Sequence, residues 1–324
     1  MSELNFGLIG CGGLARAAHC ASIAKIPHAQ FLAYADINEE AANRTLAEFG
    51  GEYATTDVEK LLSDDRIDAV YICTRHDSHA PLAIAAAKAG KHVLIEKPLA
   101  LSLEECEAIA QAVEESGIYL MPAFKMRYYP LIRKAHEFIP EPMVVVGQML
   151  CPRWKDGYWA QDPIQGGANV HSQGCHTTDI IRFLAGSEPK RIWAAGGMLT
   201  HPGHACIDQC VASIQFANGH AGSWIQGDAG DSPFTSKFFF ELYGNEGKSV
   251  QLYDRLKKAT FFDGEKSWVE ERPEEEGFLL ENWEFVNALR EGREPELNAL
   301  DGLQSTRIVL AADRAIRTGE VQEL

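Results

Sequence analysis

The first third of the chain alternates short apolar runs with stretches of helical spacing. Residues 5–9, 31–36, 69–73, 92–95 and 119–121 read as strands, with a shorter one near 53–54. They are apolar almost throughout, as strands covered on both faces are. Between them the apolar spacing turns helical over 14–26, 38–49, 57–62, 78–89 and 103–115. Asn38, Asp57 and Ser102 stand where helix N-caps belong, and Gly50, Gly90 and Gly117 where helices stop. Six strands in such alternation predict a doubly wound parallel sheet.

After Pro122 the period changes. Cys210, Ala212, Ile214 and Phe216 alternate with Val211, Ser213 and Gln215, which predicts one covered face of an antiparallel sheet. Asn218-Gly219 marks a hairpin turn, with 221–225 returning. Strands at 238–243 and 249–253 flank 244–247, and strands at 260–262 and 267–270 flank Asp263-Gly264. The acidic run 270–276 reads as a solvated loop, and helices follow at 279–290 and 302–317. The expected fold class is α/β: a Rossmann domain over 1–122, then an α+β domain over 123–324 with an open, mostly antiparallel sheet. The last helix of the second domain is free to pack back on the first.

Composition narrows the function. The chain has 324 residues, 46% hydrophobic and 23% charged, ordinary for a globular protein with two domains. Its net charge of −16 and lack of a basic run argue against a nucleic-acid partner. No apolar stretch reaches membrane-spanning length, and the first residues lack the pattern of a signal peptide, so a cytoplasmic protein is expected. The eight cysteines fall inside strands and helices without framework or Cys-x-x-Cys spacing, which suggests reduced thiols. His201, His204, Cys206 and Cys210 fit no zinc spacing, and no metal is expected.

The first strand closes on Gly10-Cys11-Gly12-Gly13-Leu14-Ala15, a Gly-x-Gly-x-x-Ala turn opening a helix. Gly10 permits the tight turn, Gly12 lets backbone approach a pyrophosphate, and Ala15 lets helix and strand pack closely. The helix start turns free N–H groups and its positive dipole end to the phosphates. The second strand ends on Asp36, 21 residues past Ala15, where a carboxylate accepts hydrogen bonds from ribose hydroxyls. NAD is expected over NADP, because Asp36 would repel a 2′-phosphate and Ile37-Asn38 offers no cation.

Two further stretches carry chemistry. Glu96-Lys97-Pro98 stands at the carboxyl end of a central strand, where open α/β sheets bind ligands, and Lys97 there can reach a ribose and a substrate hydroxyl. The stretch 166–179 runs from Gly166-Gly167 through His176 to Asp179, which share a helical face, so the carboxylate could orient the imidazole. Oxidising a secondary alcohol sends hydride to nicotinamide while the hydroxyl loses a proton. His176 suits the base, and Lys97 suits stabilisation of the alkoxide or, with a depressed pKa, the base itself. Trp154, in the aromatic and polar segment 153–162, suits a sugar face; Lys125 and Arg127 follow the last Rossmann strand and could line the substrate site.

Together these stretches resemble the glucose–fructose oxidoreductase / inositol dehydrogenase / MocA family across essentially the whole chain. The likeness also includes Thr74 with His79, Arg127 with Pro130, and the helix opening at Asp301-Gly302-Leu303. It implies an NAD(P)-dependent oxidoreductase of sugars or cyclitols. In it Lys97 and His176 act at the reacting hydroxyl. Gly10, Cys11, Gly12, Gly13, Leu14, Asp36, Thr74, Arg75, His79, Glu96 and Lys97 lie toward the cofactor; Arg127, Trp154, Ser172, His176 and Asp179 lie toward the substrate. It further implies a homodimer or homotetramer formed through the C-terminal sheet. Two positions depart from the family pattern: Ser172 replaces the usual Asp four residues before the histidine, and Arg75 the usual Pro after Thr74. They leave room for an enzyme that recycles tightly bound NAD while cleaving a glycoside by oxidation and elimination. A non-catalytic NAD sensor is a third possibility, disfavoured by retention of both Lys97 and His176.

Overall fold

The structure, a computed structural model, describes residues 3–230, 237–272 and 276–324. Most of the expected acidic loop is described, but its residues 273–275 lie outside that set. The chain divides into two compact units, Met1–Lys125 with Gly277–Leu303, and Met126–Glu276 with Gln304–Leu324. The single boundary expected after residue 122 therefore shifts by a few residues, and a later helix joins the first unit. The reason is packing: Phe285 on the helix Gly277–Glu291 meets Tyr71 edge-on, ring centroids 5.7 Å apart, and lies 6.3 Å from Phe6.

In the first unit, β1 (Leu4–Ile9), β2 (Ala29–Ala35), β3 (Tyr53–Thr55), β4 (Ala69–Ile72), β5 (His92–Ile95) and β6 (Leu120–Pro122) form a parallel sheet ordered β3-β2-β1-β4-β5-β6. All four residues of β4 are buried, as double coverage requires. Asn38, Asp57 and Ser102 each accept backbone N–H groups as N-caps. The helix after the glycine turn differs from expectation in kind. It is π-helical over Ala15–Cys20 and continues as α-helix over Ala21–Ile23, with His19 turned into the core.

In the second unit, β7 (Val144–Leu150), β8 (Pro189–Gly197), β9 (Gln209–Phe216), β10 (Ala221–Gly227), β11 (Phe238–Tyr243), β12 (Lys248–Tyr253), β13 (Lys258–Asp263), β14 (Ser267–Glu271) and β15 (Gln322–Glu323) form the second sheet. Its order among the described residues is β14-β13-β12-β11-β7-β10-β9-β8-β15. The pairs are antiparallel except β7 with β10, so the sheet is mixed but mostly antiparallel, as expected. The helix Ala168–Ala185 lies on one face. Gly174 faces the ring of Trp224 on β10, and Gly147 of β7 faces Ile181; a Cβ at either would lie about 2.5 Å from its neighbour (2.6 and 2.5 Å).

Candidate active site

Strand β1 delivers the glycine turn. Gly10 has φ +93°, and a Cβ there would meet the Cys73 carbonyl oxygen at 2.6 Å, so only glycine fits. A Cβ built on Gly12 or Gly13 would meet nothing within 4 Å. Gly12, Gly13 and Leu14 are exposed, and among the described residues no side chain caps the helix start at Leu14. Open backbone with uncapped N–H groups at a helix start fits a pyrophosphate. Cys11 offers that cradle its backbone alone. Its side chain is buried, and burial, then the Asp36 charge, push the thiol up to about 12.

Asp36 closes the turn. One oxygen accepts the Cys11 N–H at 2.7 Å and the other the Asn38 N–H at 2.8 Å, which aims the carboxylate at the mouth of the glycine turn. Ile37 is fully exposed, and the Asn38 side chain is taken up capping Glu40 and Ala41. The residues beside Asp36 thus present no cation to a 2′-phosphate.

The Glu96-Lys97-Pro98 turn follows β5 directly, and Glu96 and Lys97 are both buried. The Lys97–Pro98 bond is cis. Glu96 accepts its neighbour's backbone N–H, from Lys97, at 3.1 Å, and lies 3.1 Å from His19 Nε2. Burial by itself would raise the Glu96 carboxyl. The hydrogen bond and charge of His19, with Lys97, outweigh it and bring the group below its ordinary value. His79 is fully buried and takes no surface position: Nδ1 lies 2.8 Å from the Pro98 carbonyl and Nε2 3.3 Å from that of Thr74. Burial pushes its pKa down, and the shorter contact marks Nδ1–H as the donor to Pro98. His79 thus ties the ends of β4 and β5 together. Ser78 donates to Thr74 Oγ1 at 2.6 Å, and Arg75 is exposed.

In the second unit the expected histidine lies in the middle of the helix Ala168–Ala185. Asn169, Ser172, His176 and Asp179 follow one face of Ala168–Ala185, all buried. The Asp179 carboxylate is committed to Arg127, which donates to it from Nε at 2.9 Å and from Nη2 at 2.6 Å. Arg127 also lies over the Phe183 ring, 5.3 Å from its centroid. These two expected substrate residues thus brace the helix that carries His176. Trp154 is half-buried, edge-on to Tyr158 at 5.3 Å, and donates its backbone N–H to Asp228 at 3.1 Å.

Several buried partners of these residues carry no sequence signal. Asp228 is buried and also pairs with His201 Nε2 at 2.8 Å, while Gln161 Nε2 lies 2.9 Å from the same imidazole. His201 thus anchors the aromatic segment, and Cys210 points inward on β9. No cluster of three metal-ligating side chains occurs among the described residues. Gln226, fully buried, bridges Asn169 at 2.7 Å and Thr177 at 2.8 Å. His19, four positions past Ala15, is missed as well, since a lone histidine on an apolar helical face reads as core.

A six-strand parallel sheet with an open glycine turn, Asp36 at its mouth and a lysine at the end of β5 defines a dinucleotide-dependent oxidoreductase. The comparisons agree. Residues 4–124 match the oxidoreductase family's NAD-binding Rossmann fold and residues 141–324 its C-terminal alpha/beta domain. The chain belongs to this Gfo/Idh/MocA oxidoreductase family. It is 31% identical over 298 residues to levoglucosan dehydrogenase of Pseudarthrobacter phenanthrenivorans, covering 79% of this chain and 75% of the relative. It is 27% identical over 312 residues to the NAD(+) scyllo-inositol 2-dehydrogenase of Bacillus subtilis, covering 92% and 89%. Among solved structures, levoglucosan dehydrogenase in complex with NADH superposes with a TM-score of 0.91 at 25% identity, covering 99% of each chain.

Proposed function

We propose that this chain transfers a hydride between a secondary hydroxyl of a sugar or cyclitol and NAD, with Lys97 and His176 acting at that hydroxyl. The observation that carries the reading is the first unit's arrangement: an open glycine cradle, Asp36 fixed beside it, and Lys97 held at the carboxyl end of β5. The backbone of Gly10–Leu14 would hold the pyrophosphate and Asp36 the adenosine ribose; Thr74, Arg75 and Glu96 would lie toward the cofactor, with Arg75 over the adenine or facing solvent. The carboxylate and its uncharged neighbours favour NAD over NADP. The family's relatives named for levoglucosan and scyllo-inositol support a polyhydroxylated ring as substrate.

When bound, the nicotinamide supplies the hydride acceptor. The protein's part is proton and charge management. His176 takes the hydroxyl proton, since an imidazole titrates near working pH. Lys97 stabilises the developing alkoxide from its fixed turn. Ser172, one helical turn before His176, offers a hydroxyl to the sugar, and Trp154 a flat ring. Arg127 and Asp179 keep the helix of His176 in place. The protein is proposed to be cytoplasmic and to assemble as a homodimer or homotetramer through the outer face of the second sheet.

The test is absorbance at the NADH wavelength with a panel of inositols, aldoses and anhydro-sugars, using NAD and NADP in parallel. NADH formation with one of them is expected, falling by about 10² or more in Lys97→Ala and His176→Ala, the span of acid–base contributions. Turnover untouched in Lys97→Ala sinks the assigned role. Protein that binds NAD yet forms no NADH with any polyol points to the recycled-cofactor reading, tested next with glycosides.

A further inference from the structure

The Glu96-Lys97-Pro98 turn is held from both ends by buried histidines. At its far end His79 Nδ1–H reaches the Pro98 carbonyl at 2.8 Å. At its near end His19, with no exposed surface, meets Glu96 Oε1 at 3.1 Å, while Glu96 Oε2 takes the Lys97 N–H at 3.1 Å. The imidazole is itself oriented. Asn282 Nδ2 donates to the Phe278 carbonyl at 2.8 Å, which fixes its amide, and the same nitrogen lies 3.2 Å from His19 Nδ1, closer than the amide oxygen at 3.4 Å. With Nδ1 accepting, the ring proton sits on Nε2 and faces Glu96. The rings of Tyr71 and Phe278 pack edge-on against the imidazole at 5.4 and 5.9 Å and confine it.

We propose that His19 is a positioning residue for Lys97: its Nε2–H holds the Glu96 carboxylate in the orientation from which that carboxylate takes the Lys97 backbone N–H. The inference rests on the role assigned to Lys97 above. A side chain that acts at a transition state must be held to within a fraction of an ångström by neighbours that are themselves locked. Glu96 has two oxygens, one used by Lys97 and one by His19. Without the second contact the carboxylate is left buried with a lone acceptor unsatisfied, and it rotates away from the Lys97 amide.

The variants that separate positioning from mere filling are His19→Gln and His19→Asn. A glutamine amide reaches the place of Nε2 and can still donate to Glu96, whereas an asparagine amide reaches only the place of Nδ1. For His19→Asn the expectation is a kcat about tenfold lower with KM for the sugar nearly unchanged, the mark of an interaction felt in the transition state. For His19→Gln kcat stays within about threefold, a loss under 1 kcal/mol. NADH affinity, read by fluorescence titration, changes by less than kcat in both, because the glycine cradle that would hold the pyrophosphate is untouched even though Glu96 and Lys97 lie toward the cofactor. Equal kcat in both variants, whether lost or retained, overturns the proposal, as does a shift in NADH affinity that accounts for the loss. Should His19→Asn fail to fold, Asn282→Ala replaces it: His19 stays but its orienting donor goes, and kcat must again fall with KM held. Lys97→Ala run alongside separates the two failures. If it keeps wild-type turnover, the Lys97 reading falls; if it is inactive while both His19 variants match wild type, only the His19 proposal falls.

Discussion

Glu281 lies on the helix Gly277–Glu291 with no exposed surface, and neither carboxylate oxygen has a hydrogen-bond partner among the described residues. Burial, reinforced by the Glu96 charge and opposed only weakly by Lys125, raises its pKa well above the ordinary 4.5. The neighbouring Glu96 is shifted the other way, because His19 and Lys97 favour its charged form. Two carboxyls in one dry region thus divide the work, one ionised and one neutral. The sign of the stability effect follows. Above pH 4.5 the unfolded chain releases the Glu281 proton while the native chain keeps it, so unfolding releases a proton. Stability from this group is complete below 4.5 and declines as pH rises toward the raised native value. Glu281→Gln mimics the neutral acid and removes that decline. Its Tm is expected to match wild type near pH 4.5 and to exceed it by about 2 °C or more at pH 8. A Tm difference that does not change with pH would mean that Glu281 is ionised in the native state.

The helix Ala168–Ala185 shows what an element needs to reach its place. It lies flat on the second sheet because Gly174 leaves room for the Trp224 ring and Gly147 for Ile181. Gly174→Ala would put a Cβ 2.6 Å from Trp224 Cζ2, on a ring that is fully buried and has nowhere to turn. The expected cost is about 1–3 kcal/mol, the usual range for overpacking, visible as a lower urea midpoint with unchanged slope. A neutral or stabilising alanine would show that helix and sheet are not in close contact there. The same helix marks the limit of sequence reading. Strand β9 was legible because Cys210, Ala212, Ile214 and Phe216 alternate strictly with outward residues. The first half of Ala168–Ala185 was not, because Asn169, Ser172 and Gly174 are poor helix formers and its buried face is polar. What makes it a helix is tertiary: Gln226 on β10 satisfies Asn169 and Thr177, and Arg127 satisfies Asp179. The parallel pairing of β7 with β10 joins residues 77 apart, such as Val144 and Ala221, and leaves no local mark. In the first unit the strands, caps, glycine turn and Asp36 were all legible, since each is local. The π-helical turn and the contact of His19 with Glu96 were not, for a lone histidine on an apolar face reads as core.

The second sheet leaves its other face without cover from its own unit's long helix. Trp193 is 44% exposed, Val211 54% and Tyr243 42%, on strands whose alternate residues are buried. In register Val211 pairs with Ala195 on β8 and with Ile225 on β10, Trp193 stands two residues along β8 opposite Ser213, and Tyr243 pairs with Val144 at the start of β7. A band of apolar side chains across several strands is costly to leave in water, and a chain with net charge −16 is otherwise well solvated. A second copy laid on the same face would cover the band, and a two-fold axis would bring like strands together. Val211→Arg puts a cation from each copy into that contact, where desolvating unpaired charge is expensive. The expected result in light scattering after size exclusion is a wild-type mass of two or four times 35.7 kDa, falling to one chain or to half the assembly in the variant. Val211 points to solvent in the isolated chain, so the monomer should keep its Tm to within about 2 °C if no stabilising contact is shared. A wild-type mass of one chain, or a Val211→Arg protein that assembles as wild type does, would move the contact away from this face and leave the exposed band to some other partner.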